Sequence, residues 1–308
     1  MKTSQVPALV IGAALVSALA GCAASAPSVS TGWHDALPQV RSARAFVFPA
    51  ANSKTYQWLD NGFESYQYDY PASTARTGKK VNLYDSGGEC STGKRTFWIV
   101  DLEGEIADEY TYDGKLIRYL SPSGSNFFGQ CAVSAKSGDV ALTTSQGIVV
   151  FTSGSQTKAK TYSLSESPFY AGYDPKGDLF VSAVSTQDEF VLLELTAGSS
   201  SFQTVSLPNK LSSAGSVQWD GDYLAVYDRV DHKIYRYAIA GYAATLEGTV
   251  TLKHAVNCRA TWIAPPYVFC PSVGRGKRAA AVFNYPAGGH AIATLAGGSG
   301  NAVIQVSE

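Results

Sequence analysis

The sequence predicts an all-β protein, a six-bladed β-propeller made of four-stranded antiparallel blades. Two observations lead to this prediction. A unit of strand, glycine-containing turn and apolar strand recurs along the chain, and the composition is aromatic and turn-rich, with 18 Tyr, 13 Phe and 29 Gly against one Met. Such a composition favours strands over helical bundles. A repeat of about 40 to 50 residues made only of strands is typical of propeller blades, whereas a helical repeat would show a period of about 3.6 residues.

The repeat is most regular in the middle of the chain. Three copies of the turn place Gly138, Gly177 and Gly221 at intervals of 39 and 44 residues, and an apolar strand follows each glycine. Weaker copies begin at Lys94 and at Pro265, each 44 residues from the nearest of these glycines. With the strand before the turn and two further strands after it, one copy supplies the four strands of a blade.

The blade count also depends on the two ends of the folded domain, which we expect to span residues 41–308. At roughly 44 residues per blade, this length gives about six blades. Residues 301–306 form a strand pattern without a blade of its own, and the first segment, residues 45–68, lacks one strand. We expect the C-terminal strand to complete the N-terminal blade and close the ring, which removes open sheet edges.

The first residues have the features of a lipoprotein signal peptide. Lys2 supplies a short basic region, residues 6–20 form a largely apolar run, and residues 19–22, Leu-Ala-Gly-Cys, resemble a bacterial lipobox. The run is shorter than the roughly 20 residues that a membrane-spanning helix needs. We expect residues 1–21 to be removed and Cys22 to carry a lipid. A plain signal peptide that contains a cysteine is the alternative.

The lipid anchor predicts a place in the bacterial cell envelope. Residues 22–40 are rich in Ala, Ser, Pro and Thr and are expected to form a flexible tether. Ala23 stands where many lipoproteins retained at the inner membrane have Asp, so the resemblance favours the outer membrane or the cell surface. The membrane is therefore an expected partner, through the lipid.

The charge of the chain excludes one class of partner. Lys and Arg number 24 and Asp and Glu number 25, which gives a net charge of −1. Nucleic-acid binding depends on a basic surface that neutralises phosphates. We expect no nucleic-acid partner.

The four cysteines that follow the lipobox are an even number in an exported protein, where disulfides form and persist. Cys258 and Cys270 lie on either side of residues 264–266, Ala-Pro-Pro, and a hairpin centred there places them on neighbouring strands. We expect a Cys258–Cys270 disulfide and hence a Cys90–Cys131 disulfide. Four buried free thiols are the alternative.

Several polar and aromatic groups have both a structural and a functional interpretation. The Asp residues at the glycine turns suggest calcium ligands, but tight turns themselves favour Asp and Gly, and we prefer turn chemistry. The acidic stretch at residues 101–109 has three interpretations, a cation site, the rim of a ligand pocket or a solvated loop. We favour the solvated loop. The four tryptophans after the tether could line a site for a carbohydrate or a peptide, or they could pack between blades. We favour packing between blades. The residues in question are Asp174, Asp178, Asp220, Asp222, Trp58, Trp98, Trp219 and Trp262.

Four segments carry a family resemblance: residues 90–91, 130–139, 172–181 and 217–221. They resemble the NHL-like or gluconolactonase-like six-bladed propellers of many bacterial exported proteins and lipoproteins. The likeness covers about residues 85–307 and is one of pattern, without a catalytic signature. It implies a fold, because propellers host binding, scaffolding and hydrolysis alike.

The resemblance also implies a metal site to look for. Lactonases of this fold hold a divalent metal with carboxylate and amide oxygens that point into the central channel. At the expected innermost strands, Glu89 and Asn257 are the only fair candidates, and Gln130, Gln218 and Arg259 stand at other positions. We expect no cofactor, with Ca²⁺ or another divalent cation as the alternative. These five residues are the predicted channel-rim binding residues.

The sequence therefore predicts an envelope-anchored lipoprotein propeller that binds an unknown protein or small-molecule ligand without catalysis. A metal-dependent lactonase-like hydrolase that uses the same channel is the alternative. No G-x-S-x-G motif occurs, and the four histidines show no ligand spacing.

Overall fold

A computed structural model of the chain describes most of the domain after the first 54 residues. Its contacts divide the chain into Met1–Ala45 and Phe46–Glu308, and all described residues lie in the second part. Cys22 and the tether therefore lie outside the described residues. The described residues are 55–60, 64–70, 76–83, 86–92, 94–122, 127–255, 258–272, 279–296 and 303–307.

Within these ranges the structure consists of β-strands and one 3-10 turn, Thr152–Gly154. The strands form antiparallel groups of four that we name units 1 to 6. Unit 1 contains β1 (Thr55–Asp60), β2 (Glu64–Tyr70), β3 (Arg76–Asn82) and, from the C-terminal end, β24 (Val303–Ser307). Unit 2 contains β4 (Ser86–Ser91), β5 (Thr96–Asp101), β6 (Ile106–Thr111) and β7 (Leu116–Leu120). Unit 3 contains β8 (Phe127–Val133), β9 (Val140–Thr144), β10 (Gly147–Phe151) and β11 (Ala159–Ser163).

The second half of the chain continues the same order. Unit 4 contains β12 (Ser167–Tyr173), β13 (Leu179–Val184), β14 (Phe190–Leu195) and β15 (Gln203–Thr204). Unit 5 contains β16 (Val217–Trp219), β17 (Leu224–Asp228), β18 (Lys233–Ala240) and β19 (Ala243–Lys253). Unit 6 contains β20 (Trp262–Ala264), β21 (Tyr267–Ser272), β22 (Ala279–Asn284) and β23 (Gly288–Ala296).

Units 5 and 6 differ from the expected separate sheets. They are halves of one eight-stranded sheet, because β19 and β23 pair in parallel over two residue pairs, Leu252↔Gly289 and Lys253↔His290. The sequence pattern sets the antiparallel pairs within each unit, but a short contact between two outer strands depends on how the units lie against each other.

The predicted glycine turns connect the first and second strands of units 3, 4 and 5. Gly138, Gly177 and Gly221 have φ values of 72°, 89° and 110°. Glycine occupies this left-handed region without the steric cost that a side chain adds. The turn geometry therefore explains why the repeat appears in the sequence as a glycine period.

The hydrophobic core lies between consecutive units. One cluster joins Trp98 of unit 2 to Leu142 of unit 3, and others join units 3 and 4, 4 and 5, and 5 and 6. Because neighbours cover both faces of a sheet, β9 and β17 are buried along their whole length. Face-to-face packing of successive four-stranded antiparallel sheets is the architecture of a β-propeller.

The edge strands β4, β8, β12, β16, β20 and β24, which we call the inner strands, lie side by side. Contacts link β24 to β4, β4 to β8, β8 to β12, β12 to β16, and β20 to β24. Hydrogen bonds link β16 to β20, where the N–H of Ile263 donates to Oε1 of Gln218 at 2.8 Å. At the chain ends, β24 pairs antiparallel with β1, from Thr55↔Ser307 to Leu59↔Val303.

Both predicted disulfides are confirmed. Cys90–Cys131 joins the inner strands β4 and β8, with 5.6 Å between the Cα atoms, and Cys258–Cys270 has 5.5 Å between them. The expected hairpin geometry is wrong in detail for the second pair. The turn lies at Pro265–Pro266, where Ala264 pairs with Tyr267, so Cys258 precedes β20 instead of facing Cys270 within the hairpin.

Within the described residues, no helix has the length and apolar character needed to cross a membrane.

Candidate binding site

A cavity of about 470 Å³, the central cavity, lies where five of the inner strands end. Its walls come from β4, β8, β12, β16 and β20 and from the turns that follow them, at Thr92, Ala135, Pro175, Gly221 and Pro265. Each of these strands is the edge of its unit. The walls therefore present the edge of the main chain, whose N–H and C=O groups are hydrogen-bonding partners for a ligand.

The inner strands β12 and β16 come into close contact at Gly172, in the wall of the central cavity. A Cβ atom at this position would lie 2.3 Å from the carbonyl oxygen of Val217 in β16. Only glycine allows β12 and β16 to approach this closely, since real Cβ atoms do not come so near another atom. Gly172 thus has a packing role in the wall.

Three aromatic side chains form part of the wall of the central cavity. Tyr173, Trp219 and Trp262 line it and are half-buried. The indole N–H groups of both tryptophans have no hydrogen-bond partner among the described residues. Both side chains also pack against core clusters between units, Trp219 between units 4 and 5 and Trp262 against units 1 and 2. The expected interblade packing therefore holds for them as well as for Trp58 and Trp98, which are 0% and 2% exposed.

The charged groups that line the central cavity are acidic. They are Glu89, Asp174 and Asp220, and the lining contains no Lys or Arg. Glu89 is buried and its Oε1 accepts a hydrogen bond from Ser65 Oγ at 2.6 Å. A cavity with this charge suits a neutral or cationic ligand better than an anion.

Asp220 is neutralised by its surroundings. Its Oδ2 accepts hydrogen bonds from Arg236 Nε at 2.6 Å and from the Tyr285 hydroxyl, and its Oδ1 accepts from the N–H groups of Asp222 and Tyr223 at 3.0 and 2.8 Å. Burial opposes ionisation of this carboxyl, but the hydrogen bonds from Arg236, Tyr285 and the backbone outweigh it and lower the pKa below its ordinary 3.8.

Three of the five predicted channel-rim residues line the central cavity. Glu89, Gln130 and Gln218 line the central cavity. Arg259 is exposed and is not part of the lining, although its carbonyl oxygen accepts a hydrogen bond from Tyr170 at 2.9 Å. Asn257 lies outside the described residues.

The two glutamines hold the wall together. Gln218 Nε2 donates to the carbonyl oxygen of Ile263 at 2.7 Å, and its Oε1 accepts from the N–H of the same residue. Gln130 Nε2 donates to the carbonyl oxygen of Gly87 at 2.9 Å. Since neighbouring inner strands are not paired with each other in a sheet, these amide groups supply hydrogen bonds between them.

The hydrogen bonds of Asp174, Asp178 and Asp220 agree with turn chemistry. Asp174 Oδ1 accepts from the N–H groups of Lys176 and Asp178 at 2.8 and 2.9 Å, and Asp178 Oδ1 accepts from Ala197 at 2.7 Å. Asp222 is exposed and lies 3.9 Å from Arg236. Among the residues that the structure describes, no three His, Cys, Asp or Glu side chains form a metal-binding group.

The expectation of a solvated loop holds only for the middle of the acidic stretch at residues 101–109. Asp101, Asp108 and Glu109 are buried, while Glu103 and Glu105 are exposed. Asp101 Oδ1 accepts from Gly104, Asp108 accepts from Tyr110, and Glu109 accepts from Arg118 at 2.6 Å. The exposed Glu103 and Glu105 lie in the turn between β5 and β6, whereas the buried carboxylates lie on these two strands.

Comparisons with known proteins support the architecture alone. No protein-family model matches the sequence, and no curated protein matches it. The structure is similar to a protein of unknown function from Bacteroides caccae, with a TM-score of 0.60 at 10% identity over 83% of this chain and 100% of that chain. It is also similar to a chain of the nidogen/laminin complex, with a TM-score of 0.60 at 10% identity over 82% of this chain and 98% of that chain.

At 10% identity these similarities concern the fold and not the function. Together with the four-stranded antiparallel units and the two disulfides, they identify the chain as a disulfide-bonded β-propeller protein.

Proposed function

We propose that this protein is a lipid-anchored propeller of the bacterial cell envelope that binds a protein segment or small molecule at the central cavity without catalysis. The cavity carries this proposal, because it combines a volume of about 470 Å³ with main-chain edges, half-buried aromatic side chains and acidic charge. Ligand pockets typically have volumes of about 300 to 1,000 Å³ and a few placed polar groups.

The proposed ring has six blades, units 1 to 6, and is closed by the C-terminal strand. The contacts and hydrogen bonds between successive inner strands support this arrangement, as does the pairing of β24 with β1. A closed ring fixes the inner strands around one channel and protects their edges from pairing with other proteins.

The proposed anchor is a lipid on Cys22, joined to the propeller by residues 22–40. Lipobox-like residues 19–22 at the end of the apolar run support it. The test is labelling of cells with a radioactive fatty acid. The wild-type protein should carry label and partition with membranes, whereas the Cys22→Ser variant should lose both. Label retained by the variant would contradict the anchor.

Binding is favoured over metal-dependent hydrolysis by the state of the carboxylates. Asp220 is held by Arg236 and Tyr285, and Asp174 is held by two backbone N–H groups. Hydrolysis by a Lewis-acid metal needs several oxygen ligands that converge on one point. Asp174 and Asp220 already accept hydrogen bonds from the backbone of their own turns, which competes with metal coordination.

The binding site is tested by a ligand screen that compares the wild type with a variant whose central cavity is blocked. Ala135 is exposed at the rim, so Ala135→Trp should block the cavity without disturbing the core. Neutral saccharides, short peptides and lactones are screened by thermal unfolding of the purified protein. We expect a compound that raises the melting temperature of the wild type, is recovered unchanged, and has no effect on Ala135→Trp.

The matched control is Ala159→Trp, which places the same side chain on β11, the exposed outer strand of unit 3. This variant should keep the ligand-induced rise in melting temperature. An equal rise in Ala135→Trp would place the ligand elsewhere, and conversion of a lactone to its hydroxy acid would favour the hydrolase.

A further inference from the structure

A second cavity of about 320 Å³ lies between units 4 and 5, and we call it the crevice. It shares two wall residues, Asp174 and Trp219, with the central cavity. Its lining consists of Asp174, Lys176, Asp178, Phe180, Glu194, Thr196, Trp219, Ile239, Gly241 and Tyr242. Three of these residues are carboxylates and one is a lysine, so the crevice has an excess of negative charge.

Glu194 is the most unusual group in this lining. Its side chain is deeply buried, with 4% of the residue exposed. Oε1 accepts a hydrogen bond from Thr196 Oγ1 at 3.2 Å, but Oε2 has no hydrogen-bond partner among the described residues. The indole N–H of Trp219, on the opposite wall, has none either. A buried carboxylate oxygen without a partner is energetically costly.

Unit 5 has a different residue at the position that corresponds to Glu194. In unit 4, Phe180 pairs with Glu194, and at the same register in unit 5, Ala225 pairs with Arg236. Asp174 and Asp220 also correspond, since each is the first residue after the inner strand of its unit. Unit 5 therefore has an arginine where unit 4 has a glutamate.

In unit 5, the cation at this position is surrounded by acidic and aromatic groups. The Arg236 guanidinium binds Asp220 and lies 4.7 Å from the ring centre of Tyr223 and 5.6 Å from that of Tyr285. Carboxylate pairing and stacking on aromatic rings are the preferred contacts of a guanidinium. The crevice of unit 4 offers the same kinds of group, carboxylates with Trp219 and Tyr242, but its strand supplies no cation at this position.

The charged groups that face Glu194 agree with this picture. Burial is the main effect and raises the pKa of its carboxyl above the ordinary 4.5. The hydrogen bond from Thr196 lowers this pKa, Asp178 and Asp174 raise it, and Lys176 lowers it. The lining residues from unit 5 are Trp219, Ile239, Gly241 and Tyr242, and they include no Lys, Arg or His. The carboxylates of the crevice are thus undercompensated.

We propose that the crevice between units 4 and 5 binds an organic cation, a guanidinium or ammonium group of a ligand, in the place that Arg236 occupies in the next unit. The site favours such a group over a metal ion, because Asp174 and Asp178 each use one oxygen for backbone N–H groups and the three carboxylates do not form a metal-binding group among the described residues. The proposal does not depend on a ligand in the central cavity.

The test is calorimetric titration of the full-length protein with butylguanidinium, butylammonium and the neutral butanol. We expect both cations to bind in preference to butanol, with a shift of the Trp219 indole N–H signal in NMR spectra, assigned with Trp219→Phe. A stronger response to butylguanidinium would indicate an arginine-like ligand, and a stronger response to butylammonium a lysine-like one. Failure of both cations to bind, or equal binding of butanol, would overturn the proposal.

Two substitutions of Glu194 sharpen the test. Glu194→Gln keeps the shape of the side chain but removes its charge, and should weaken cation binding at least about tenfold, since a charge-assisted contact is lost. Glu194→Arg gives unit 4 its own cation, and should abolish binding and raise the melting temperature by roughly 2 °C or more. Unchanged affinity of Glu194→Gln would contradict the site even if Glu194→Arg does not fold.

Two controls separate this proposal from the proposed function. Glu189→Gln removes an exposed glutamate of the same unit, which pairs with Lys210 at 3.1 Å, and should leave cation binding unchanged. Ala135→Trp, which blocks the central cavity, should also leave it unchanged. Loss of cation binding in Ala135→Trp would place the cation in the central cavity and overturn the crevice site.

Discussion

Units 4 and 5 have the same backbone plan and opposite charges at one matched position, which is buried in unit 4 and half-buried in unit 5. In unit 5, Arg236 neutralises Asp220, and the pKa of that carboxyl is lowered by the hydrogen bonds that it accepts despite its burial. In unit 4, Glu194 takes the position of Arg236, and burial raises the pKa of its carboxyl. One unit has a complete ion pair within itself, and the other has a cluster of acids facing its neighbour.

This difference separates stability from binding within one repeat. A buried ion pair whose partners satisfy each other fixes the local structure, and removal of one partner leaves a buried charge. A buried charge without a partner destabilises the fold but provides affinity for a ligand that supplies the missing partner. The comparison therefore predicts that changes in unit 5 reduce stability, whereas changes in unit 4 alter binding.

The largest expected effect is the loss of the cation in unit 5. Arg236→Met leaves the Asp220 side chain, which is 0% exposed, without its ion-pair partner. We expect a decrease of about 3 to 5 kcal/mol in the free energy of unfolding, the usual cost of breaking a buried pair. Urea unfolding measures it, and the double variant Arg236→Met/Asp220→Asn should recover part of the loss. A decrease below about 1 kcal/mol would show that Tyr285 and the backbone satisfy Asp220 without Arg236.

A smaller effect of opposite sign is expected in unit 4. Glu194→Gln removes a buried charge and should increase the free energy of unfolding at pH 7 by roughly 1 kcal/mol, because an incompletely paired buried polar group costs about that amount or more. Urea unfolding of the ligand-free protein measures the change. A destabilised variant would show that the carboxylate is better compensated than its contacts indicate.

The two units should respond to acid in opposite directions. The folded-state pKa of Glu194 lies above 4.5, so its destabilising effect is present at neutral pH and is relieved as the pH falls through that pKa toward 4.5. The folded-state pKa of Asp220 lies below 3.8, so its contribution to stability is present above pH 3.8 and is lost as the pH falls further.

Unfolding of the wild type, Glu194→Gln and Asp220→Asn across this pH range tests these signs. The stability gain of Glu194→Gln, of roughly 1 kcal/mol at pH 7, should vanish near pH 4.5. A gain that is constant over the range would contradict the assignment of the effect to the Glu194 charge.

The smallest effect is expected for the exposed pair of unit 4. Lys210 and Glu189 are 79% and 60% exposed and are separated by 3.1 Å. Glu189→Gln should change the free energy of unfolding by less than about 0.5 kcal/mol, because water and salt screen such pairs. Urea unfolding at low and high salt measures it. A change comparable to that of Arg236→Met would invalidate burial as the basis of the comparison.

The sequence predicts features that depend on local geometry. The turns at Gly138, Gly177 and Gly221 require a backbone conformation that glycine adopts easily, so their period is visible in the chain. The two disulfides follow from an even number of cysteines and one turn signal. The position of Cys258 outside the hairpin does not follow from them, because it depends on the turn being centred at Pro265–Pro266.

Features that depend on register and on packing between units were not predicted. Arg236 meets Asp220 because β17 and β18 pair Ala225 with Arg236, and no local motif links residues 16 positions apart. Glu194 is buried by residues of the following unit, so its sequence neighbours do not reveal the burial. The place of Trp219 and Trp262 in the cavity lining likewise depends on how the inner strands end around the cavity.

A carboxyl-carbon NMR titration of glutamate-labelled protein tests the comparison most directly. The Glu194 signal is identified by its absence from the spectrum of Glu194→Gln. We predict a pKa above 4.5 in the free protein and a lower value when butylguanidinium is added, because a bound cation stabilises the carboxylate. A pKa at or below 4.5 in the free protein, or one that does not move with the cation, would contradict the account.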